Sequence, residues 1–268
     1  MIDRTLALLR ASHPAPAAAV TALTALLALG AGHHFLTGLI VTAAVGAGQL
    51  SIGWSNDLID AARDRRVGRR DKPIARGEVS AVLVRRAVVV ALVACVVLSL
   101  ACGLQSAAVH LVLGVGSGWC YNLIAKRTVW SAVPYALAFG SLPAVVTLAL
   151  PTPELPPWWA FVAVALRGIG AHLLNVLPDL ADDASTGIHG LPHRLGERRV
   201  RTLAPLVLLA GSAVALIGPG RPDSPWPWLA LAACVGLALV AVTGRGRVPF
   251  LAAIAIAAVD VVSLVARG

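Results

Sequence analysis

Long apolar runs, separated by short polar stretches, dominate the chain from residue 14 onward. A transmembrane helix needs about 20 predominantly apolar residues. Nine runs are of spanning length, namely residues 14–31, 35–54, 80–101, 106–124, 130–150, 158–177, 202–219, 226–243 and 248–266. Lipid offers backbone groups no partners, so helices are expected, and the period-2 alternation of a membrane barrel is absent. The pattern predicts an all-α integral membrane protein with nine transmembrane helices, forming a single membrane domain over residues 1–268.

The composition agrees with this prediction and excludes several other classes. Of the 268 residues, 58% are hydrophobic and 13% are charged, and the mean hydropathy is +0.81. A soluble domain is nearer half apolar and a quarter charged. A globule of 27.5 kDa leaves too much of its surface outside to hide this much apolar area. An ordinary soluble enzyme, a disordered chain and a fibrous repeat are therefore excluded.

The net charge of +9 is concentrated on one side of the predicted membrane topology. If the N-terminus lies inside, 19 of the 22 Lys and Arg residues fall on inside segments, which are the N-terminus and residues 55–86, 125–129, 178–201 and 244–247. Basic residues favour the cytoplasmic side. We therefore expect a multi-pass protein of the cell (inner) membrane with these segments in the cytoplasm. The charge then sets topology in the lipid bilayer, and we expect no nucleic-acid partner.

Two polar stretches share the pattern N-x3-D-x3-D-x3-G-x4-P-x3-G, one after the second apolar run and one after the sixth. The matched pairs, each 119 positions apart, are Asn56 and Asn175, Asp60 and Asp179, Asp64 and Asp183, Gly68 and Gly187, Pro73 and Pro192, and Gly77 and Gly196. Six matches in one register indicate an internal duplication. It places two Asp-rich motif loops at about residues 55–80 and 175–201.

The spacing of these acids predicts a site for a divalent cation and a diphosphate. Residues four apart share one helix face, so each Asn lies with its two Asp residues, and Asp57 and Asp182 join those faces. Crowded carboxylates need a counter-ion, and Mg²⁺ is typically held by a few carboxylates and substrate phosphates. Surrounding Arg and Lys suit a polyanion. The alternative interpretation is two solvated helix ends whose acids pair with neighbouring arginines.

The motifs resemble those of the UbiA superfamily of intramembrane (4-hydroxybenzoate polyprenyltransferase-like) prenyltransferases. The segment NDLIDAARD looks like the first aspartate-rich motif of that family, and DLADD looks like the second. The segment DKPIARGEVS is similar to the family's R-P-[IL]-x-x-G-x-[IV]-S, with Lys72 where Arg is commoner. Tyr121 and Lys126 resemble a family Tyr–Lys pair, although they are five residues apart rather than four.

The resemblance implies a helical bundle around a central cavity, capped on the cytoplasmic side by the two motif loops. It also implies Mg²⁺-dependent transfer of a prenyl group from a polyprenyl diphosphate to a small-molecule acceptor, through an allylic carbocation and with release of diphosphate. The acceptor is expected to be aromatic, and a phosphorylated sugar is a further option. The alternatives are a terpene cyclase on the same scaffold and a non-catalytic membrane transporter or binder.

The motifs and the resemblance together define the expected site residues. The catalytic residues are Asp60, Asp64, Asp179 and Asp183. The metal ligands are Asn56, Asp57, Asp60, Asp64, Asp179, Asp182 and Asp183. The substrate-binding residues are Asn56, Asn175, Arg10, Lys72, Arg76, Lys126, Tyr121 and Arg167.

Three further polar side chains lie inside the predicted spans, where ionisable groups are costly and are candidates for function. Arg167 and Asp260 either pair with each other across the bundle, or Arg167 faces the cavity and contacts substrate. His172, one turn before Asn175, either lines the cavity, with a possible role as a base, or is a packed polar residue.

Overall fold

The regular structure of the described residues is helical. The computed structural model describes residues 4–69, 71–180, 183, 187–220, 224–246 and 248–265. Its α-helices are α1 (Arg4–Ala11), α2 (Pro14–Gly30), α3 (Phe35–Arg66), α4 (Ala81–Ala101), α5 (Leu104–Val109), α6 (Ser117–Leu123), α7 (Ala132–Thr147), α8 (Trp158–Val176), α9 (Leu191–Leu195), α10 (Glu197–Ile217), α11 (Trp226–Thr243) and α12 (Val248–Val265). A π-helical segment, His110–Gly116, joins α5 to α6, and 3₁₀ turns cover Ala125–Arg127, Val129–Ser131 and Leu177–Asp179.

Each of the nine predicted apolar runs lies on helical structure, but not every run is one long straight helix. Six helical stretches are long and apolar enough to cross a membrane, namely Phe35–Arg66, Ala81–Ala101, Val129–Thr147, Trp158–Asp179, Glu197–Ile217 and Trp226–Thr243. The bent pair α1 and α2 makes a seventh if it forms one span. The all-helical membrane class is therefore confirmed, and the number nine stays a prediction.

The long helices form a closed ring. Helix α2 packs on α3, α3 on α4, α7 on α8, α8 on α10, α10 on α11 and α11 on α12, and α12 returns to pack on α2 and α8. The short helix α5 packs on both α4 and α7 and so connects them. Val20, Val45 and Val145 belong to one buried cluster that joins α2, α3 and α7. Leu174, Leu208 and Ile256 belong to a second cluster, which joins α8, α10 and α12. The ring encloses the space in which the polar motifs meet.

The outward faces of these helices are apolar, as lipid contact requires. Helix α4 buries Val84, Val88 and Cys95 but exposes Val90 and Val97. A face like this would be an aggregation site in water. In a bilayer the same face is solvated by acyl chains, so the exposed valines agree with the membrane class.

A bend of 65° between α1 and α2 brings the N-terminal segment against α3. His13 stands at the break with φ 54° and ψ 62°, a left-handed conformation that costs a non-glycine residue on the order of 1 kcal/mol. Gly53 of α3 passes the bend so closely that a Cβ there would lie 2.0 Å from the backbone oxygen of Ser12. The absence of a side chain at Gly53 therefore permits this packing.

The two motif stretches share two features of their backbone among the residues that the structure describes. Gly68 and Gly187 have φ of +67° and +81°, and Gly77 and Gly196 have φ of +72° and +78°. These left-handed values favour glycine. Each stretch also contains a backbone hydrogen bond to its last motif Asp. The N–H of Arg69 donates to the backbone oxygen of Asp64, and the N–H of Ile188 donates to that of Asp183, both at 3.0 Å. The sequence repeat therefore has a counterpart in the backbone.

Candidate functional site

A cavity of about 360 Å³ lies inside the ring of helices. Polar residues from both motif stretches line part of it, including Asn56, Asp60, Arg63, Asn175, Asp179 and Asp183. Apolar residues of α2 and α12 line another part, including Ala17, Val20, Leu23, Leu26, Ala253 and Ala257. The cavity therefore joins a charged region to hydrocarbon walls.

The first motif lies on a continuous helix. Helix α3 runs to Arg66, beyond the end of the predicted span at residue 54, and no Pro or Gly interrupts it after Gly53. Asn56 and Asp60 line the cavity, while Asp57 and Asp64 are buried beside it. Asn56 donates a hydrogen bond to the side-chain oxygen of Asn122 on α6, at 3.1 Å. The helix thus carries the expected acidic face.

Arg63 joins the first motif to the second. Its Nη2 lies 3.2 Å from Asp60 Oδ2 and 3.1 Å from Asp64 Oδ1, and its Nη1 lies 3.7 Å from Asp183 Oδ1. Its Nε also donates to Asp64 at 3.2 Å. The side chain is only 14% exposed. The sequence offered the arginines here two roles, as partners of the acids and as groups that suit a polyanion, but it did not single out Arg63 as the one between the motifs.

The second motif follows the end of α8 and is shaped by a proline. Asn175 is in the last turn of α8, and Pro178 precedes Asp179 in the 3₁₀ turn. Arg69 Nη2 lies 3.2 Å from Asp179 Oδ1 and 2.8 Å from Asp71 Oδ2. These residues complete the link between the stretches.

Burial and ion pairing shift the pKa values of three groups in these loops. Burial raises the pKa of Asp183 to about 6. The hydrogen bond from Arg69 lowers the pKa of Asp71 to about 2, and the same contact raises the pKa of Arg69. Asp182 lies outside the described residues.

Asp57 is held in a compact charged triad with Lys72 and His13. Its Oδ1 lies 2.8 Å from Lys72 Nζ and 2.9 Å from His13 Nε2, and these two nitrogens are 3.1 Å apart. Lys72 and His13 line the cavity, whereas Asp57 is not among the residues lining it. Asp57 therefore contacts Lys72 without lining the cavity itself, and its role in this triad is to position Lys72. His13 was not expected from the sequence, and its place at the helix break next to Pro14 is the only signal.

Lys126 lies against Asp60 at the cavity. Its Nζ donates to Asp60 Oδ1 at 2.5 Å, and the side chain is 4% exposed. Burial lowers the pKa of Lys126, and the negative charge of Asp60 opposes this shift. Lys126 lies in the 3₁₀ turn that follows α6. Tyr121 and Lys126 both line the cavity, although they are five residues apart.

Aromatic rings cover one wall of the cavity. The ring of Tyr121 meets that of Tyr135 edge to face at 5.0 Å, and Tyr135 lies 4.6 Å from the His172 ring and 6.3 Å from that of Phe139. His172 Nε2 is 3.0 Å from Ser131 Oγ. His172 is among the residues that line the cavity, and it is also a packed polar residue, since it is fully buried. The two interpretations of the sequence therefore both apply, and a role as a base stays a prediction. Tyr135 was missed, although it is one of only two tyrosines in the chain.

The deep polar residues Arg167 and Asp260 pair with each other, and Arg167 also faces the cavity, while its contact with substrate stays a prediction. Arg167 lines the cavity, and its Nη2 contacts Asp260 Oδ2. By contrast, Arg10 and Arg76 both contact Glu78, at 3.4 and 3.0 Å, and neither lines the cavity. The structure therefore brings most of the expected residues together but places these two arginines beside a different carboxylate.

The donor chemistry of the site suits a hard cation. Among the residues that the structure describes, no three His, Cys, Asp or Glu side chains are arranged as a ready metal site. Carboxylates of both motifs nevertheless converge on one positive group, the guanidinium of Arg63. Carboxylate oxygens are the ligands that Mg²⁺ prefers. The residues present therefore fit Mg²⁺ by their chemistry.

The sequence matches the model of the UbiA prenyltransferase family over residues 17–259. No curated protein matches it. Similar solved structures include an apo UbiA homolog from Aeropyrum pernix K1, which is 16% identical with a TM-score of 0.74 and covers 100% of this chain and 99% of that one.

Two further structures are similar over nearly the whole chain. A UbiA homolog from Archaeoglobus fulgidus bound to GPP and Mg²⁺ is 14% identical with a TM-score of 0.69, covering 97% of this chain and 98% of that one. A digeranylgeranylglyceryl phosphate synthase is 15% identical with a TM-score of 0.68, covering 98% of each. At these identities the likeness shows the fold alone.

Proposed function

Because this chain belongs to the UbiA prenyltransferase family, we propose that it transfers a prenyl group from a prenyl diphosphate to an acceptor within the membrane. The observation that carries the proposal is the cavity, which joins residues of both motifs to apolar walls. A donor with a charged diphosphate and a hydrocarbon tail matches both parts. The Archaeoglobus fulgidus homolog bound to GPP and Mg²⁺ supports a donor of this class.

Mg²⁺ is the cofactor that the carboxylates fit. Asp60 and Asp64 on α3 and Asp179 and Asp183 after α8 would hold it, with Asn56 as a neutral oxygen ligand. When bound, the ion supplies positive charge that offsets the charge of the diphosphate. Asp182 belongs to the same proposed set by its position in the sequence.

Basic side chains at the cavity receive the diphosphate. Arg69, Lys72 and Lys126 line the cavity next to the motifs, and such groups stabilise negative charge as it develops on a leaving group. The bond between C1 of the donor and the diphosphate oxygen breaks, and its electron pair leaves with the diphosphate. The prenyl group is left as an allylic cation.

The walls of the cavity protect and direct that cation. The rings of Tyr121 and Tyr135 offer π faces that attract positive charge, and the apolar walls keep water away from it. An electron pair of the acceptor carbon forms the new bond to C1, and that carbon then loses a proton. We propose an aromatic acceptor, because its ring supplies such a carbon.

We further propose that the motif loops face the cytoplasm in the cell membrane, on the grounds of the basic residues. An impermeant maleimide tests the orientation in intact cells, using a single Cys at position 76 and another at position 154 on a background without the native cysteines. Labelling of Glu154→Cys but not Arg76→Cys supports the proposal. The reverse pattern contradicts it.

A single assay separates the candidate activities. The full chain is reconstituted in liposomes with Mg²⁺ and geranylgeranyl diphosphate, with and without 4-hydroxybenzoate, a hydroxynaphthoate or a phosphorylated polyol, and lipids and free diphosphate are measured. Acceptor-dependent product supports prenyl transfer, and acceptor-free hydrocarbon identifies a cyclase. Absence of diphosphate release from geranylgeranyl diphosphate, with every acceptor and without one, contradicts an enzyme of either kind that uses this donor.

Variants of the two motifs test the site itself. Asp60→Ala and Asp179→Ala are each expected to lower turnover at least about 100-fold, because each removes oxygen charge at the metal and diphosphate. Glu197→Ala is the matched control, since this acid is 64% exposed at the start of α10. Near-normal activity of either motif variant, in protein that still enters the membrane, contradicts the two-motif site.

A further inference from the structure

Arg63 is positioned differently from the other cations at the site. Among the described residues, it alone contacts carboxylates of both motifs, namely Asp60 and Asp64 on one side and Asp183 on the other. Lys126 contacts the motif acid Asp60. Arg69 contacts the motif acid Asp179 of the second stretch, and its partner in the first stretch, Asp71, is not one of the acids of the repeated pattern. The guanidinium of Arg63 therefore lies among the oxygens that a bridging divalent cation would need.

The internal duplication indicates that this arginine is not required by the motif. The position that matches Arg63 in the second stretch, 119 residues later, is Asp182, a residue of opposite charge. The two stretches nevertheless share their glycine conformations and the hydrogen bond behind the last motif Asp. The arginine is therefore a feature of the first copy of the sequence alone.

Arg63 and a divalent cation compete for the same atoms. Mg²⁺ binds oxygen at about 2.0–2.1 Å, while Arg63 Nη2 already lies 3.1 Å from Asp64 Oδ1 and 3.2 Å from Asp60 Oδ2. An ion coordinated by those oxygens would stand beside a guanidinium of like charge. Like-charge repulsion therefore favours metal binding when Arg63 leaves these oxygens.

The diphosphate offers Arg63 a new partner. Arg63 lines the cavity next to Arg69 and Lys72, where the diphosphate of the proposed donor would lie. Guanidinium groups bind phosphate oxygens in a bidentate manner. Arg63 can therefore exchange carboxylate for phosphate only when the donor is present, so the metal and the diphosphate favour each other's binding.

We propose that Arg63 is an internal counter-ion that holds the carboxylates of the two motifs when no divalent ion is bound, and that it moves to the diphosphate when metal and donor bind together. This inference rests on the proposed function. It makes Arg63 a positioning residue that couples the two binding events, and binding free energies coupled in this way are reciprocal.

The test measures metal binding rather than turnover. Mn²⁺ is titrated into the full chain in nanodiscs, and free Mn²⁺ is followed by electron paramagnetic resonance, with and without geranyl S-thiolodiphosphate as a donor analogue that resists cleavage. In the wild type, the analogue is expected to raise Mn²⁺ affinity by at least about tenfold, within the usual range of coupling. Arg63→Gln is expected to bind Mn²⁺ alone about tenfold more tightly, with most of the enhancement lost.

Two further variants distinguish charge from general damage. Arg66→Gln is the matched control, because Arg66 is exposed on the same helix and contacts only the backbone oxygen of Ala62 among the contacts described; it should behave as the wild type. Arg63→Lys keeps the charge without the bidentate geometry, so its affinity for Mn²⁺ alone should stay near that of the wild type while the coupling falls. Loss of a merely structural contact would not increase metal affinity.

The outcomes separate this inference from the proposed function. Unchanged or weaker binding of Mn²⁺ alone by Arg63→Gln, with the enhancement by the analogue intact, overturns the role of Arg63 and leaves the metal site standing. Absence of Mn²⁺ binding by the wild type, even with the analogue, overturns the proposed metal and diphosphate site itself.

Discussion

The pair between Arg167 and Asp260 offers a quantitative test of the bundle interior. The two side chains are 5% and 7% exposed and join α8 to α12. Arg167 Nη1 also donates to the backbone oxygen of Ala163 at 2.7 Å, and Ser212 Oγ on α10 donates to Asp260 Oδ2 at 2.6 Å. Three helices therefore meet at one buried charge pair, far from any bulk counter-ion.

The expected energies follow from what each substitution leaves behind. Arg167→Met leaves Asp260 with only the Ser212 and Cys234 contacts described, and Asp260→Leu leaves the guanidinium with the Ala163 oxygen. Removing one partner of a buried ion pair costs about 3–5 kcal/mol. Replacing both by apolar residues of similar size is often neutral or stabilising. We expect each single variant to lose several kcal/mol and the double variant to recover most of it.

The measurement is a double-mutant cycle on unfolding in mixed micelles, with prenyl transfer assayed in parallel. A coupling energy of about 3 kcal/mol or more supports a pair whose main role is structural. Additive losses would refute the reasoning from the buried pair. Because Arg167 also lines the cavity, a stable double variant that has lost turnover would assign it a second role in contacting substrate.

Two other predictions concern packing and pH. Gly53→Ala is expected to lower the free energy of unfolding by at least about 1–3 kcal/mol, because its Cβ would lie 2.0 Å from the Ser12 backbone oxygen. Gly236→Ala is the control and should be nearly neutral, because the space around it is open. Equal thermal unfolding of the two variants would contradict this. Burial raises the pKa of Asp183 to about 6, so protons compete with metal there, and Mn²⁺ affinity should fall as pH drops through 6, by up to about tenfold per unit. In Asp183→Asn that dependence should be lost, and a wild-type affinity that stays flat between pH 7 and 5 would show that Asp183 does not bind the metal.

The apolar pattern predicted the positions of the helices well, because a segment buried in lipid must be apolar along its own sequence. A helix in a bilayer must be apolar along its buried length and must satisfy its own backbone, so the apolar runs mark where helical structure lies. They do not show where it is interrupted, as by the π-helical segment between α5 and α6. Helix ends were less accurate where polar residues continue the helix, as in α3, which runs to Arg66 instead of residue 54. Hydropathy marks where a helix leaves the apolar region, and a helix does not have to end there.

The motif acids were predictable for a similar reason, since spacing by four on a helix sets a shared face. What the sequence did not reveal was which cation would lie between the faces. The sequence does not distinguish Arg63 from Arg65 and Arg66. Among the contacts described, only Arg63 lies between Asp60 and Asp183. That choice depends on how α3 and the loop after α8 are brought together, a long-range contact that no local pattern encodes.

The two copies of the motif share the conformation of their glycines but differ in the backbone that carries their acids. Asn56, Asp60 and Asp64 lie on one uninterrupted helix, whereas Pro178 separates Asn175 on α8 from Asp179 in a 3₁₀ turn. The first copy therefore presents its acids on one continuous helix face, whereas the second presents Asp179 from a 3₁₀ turn and Asp183 from beyond that turn. A cation between the copies contacts the oxygens of α3 on one side. Its distance from the second copy depends on where the acids after α8 lie. A single flexible arginine side chain on the first copy suits this arrangement, because it can follow the second copy and give way when another cation takes its contacts.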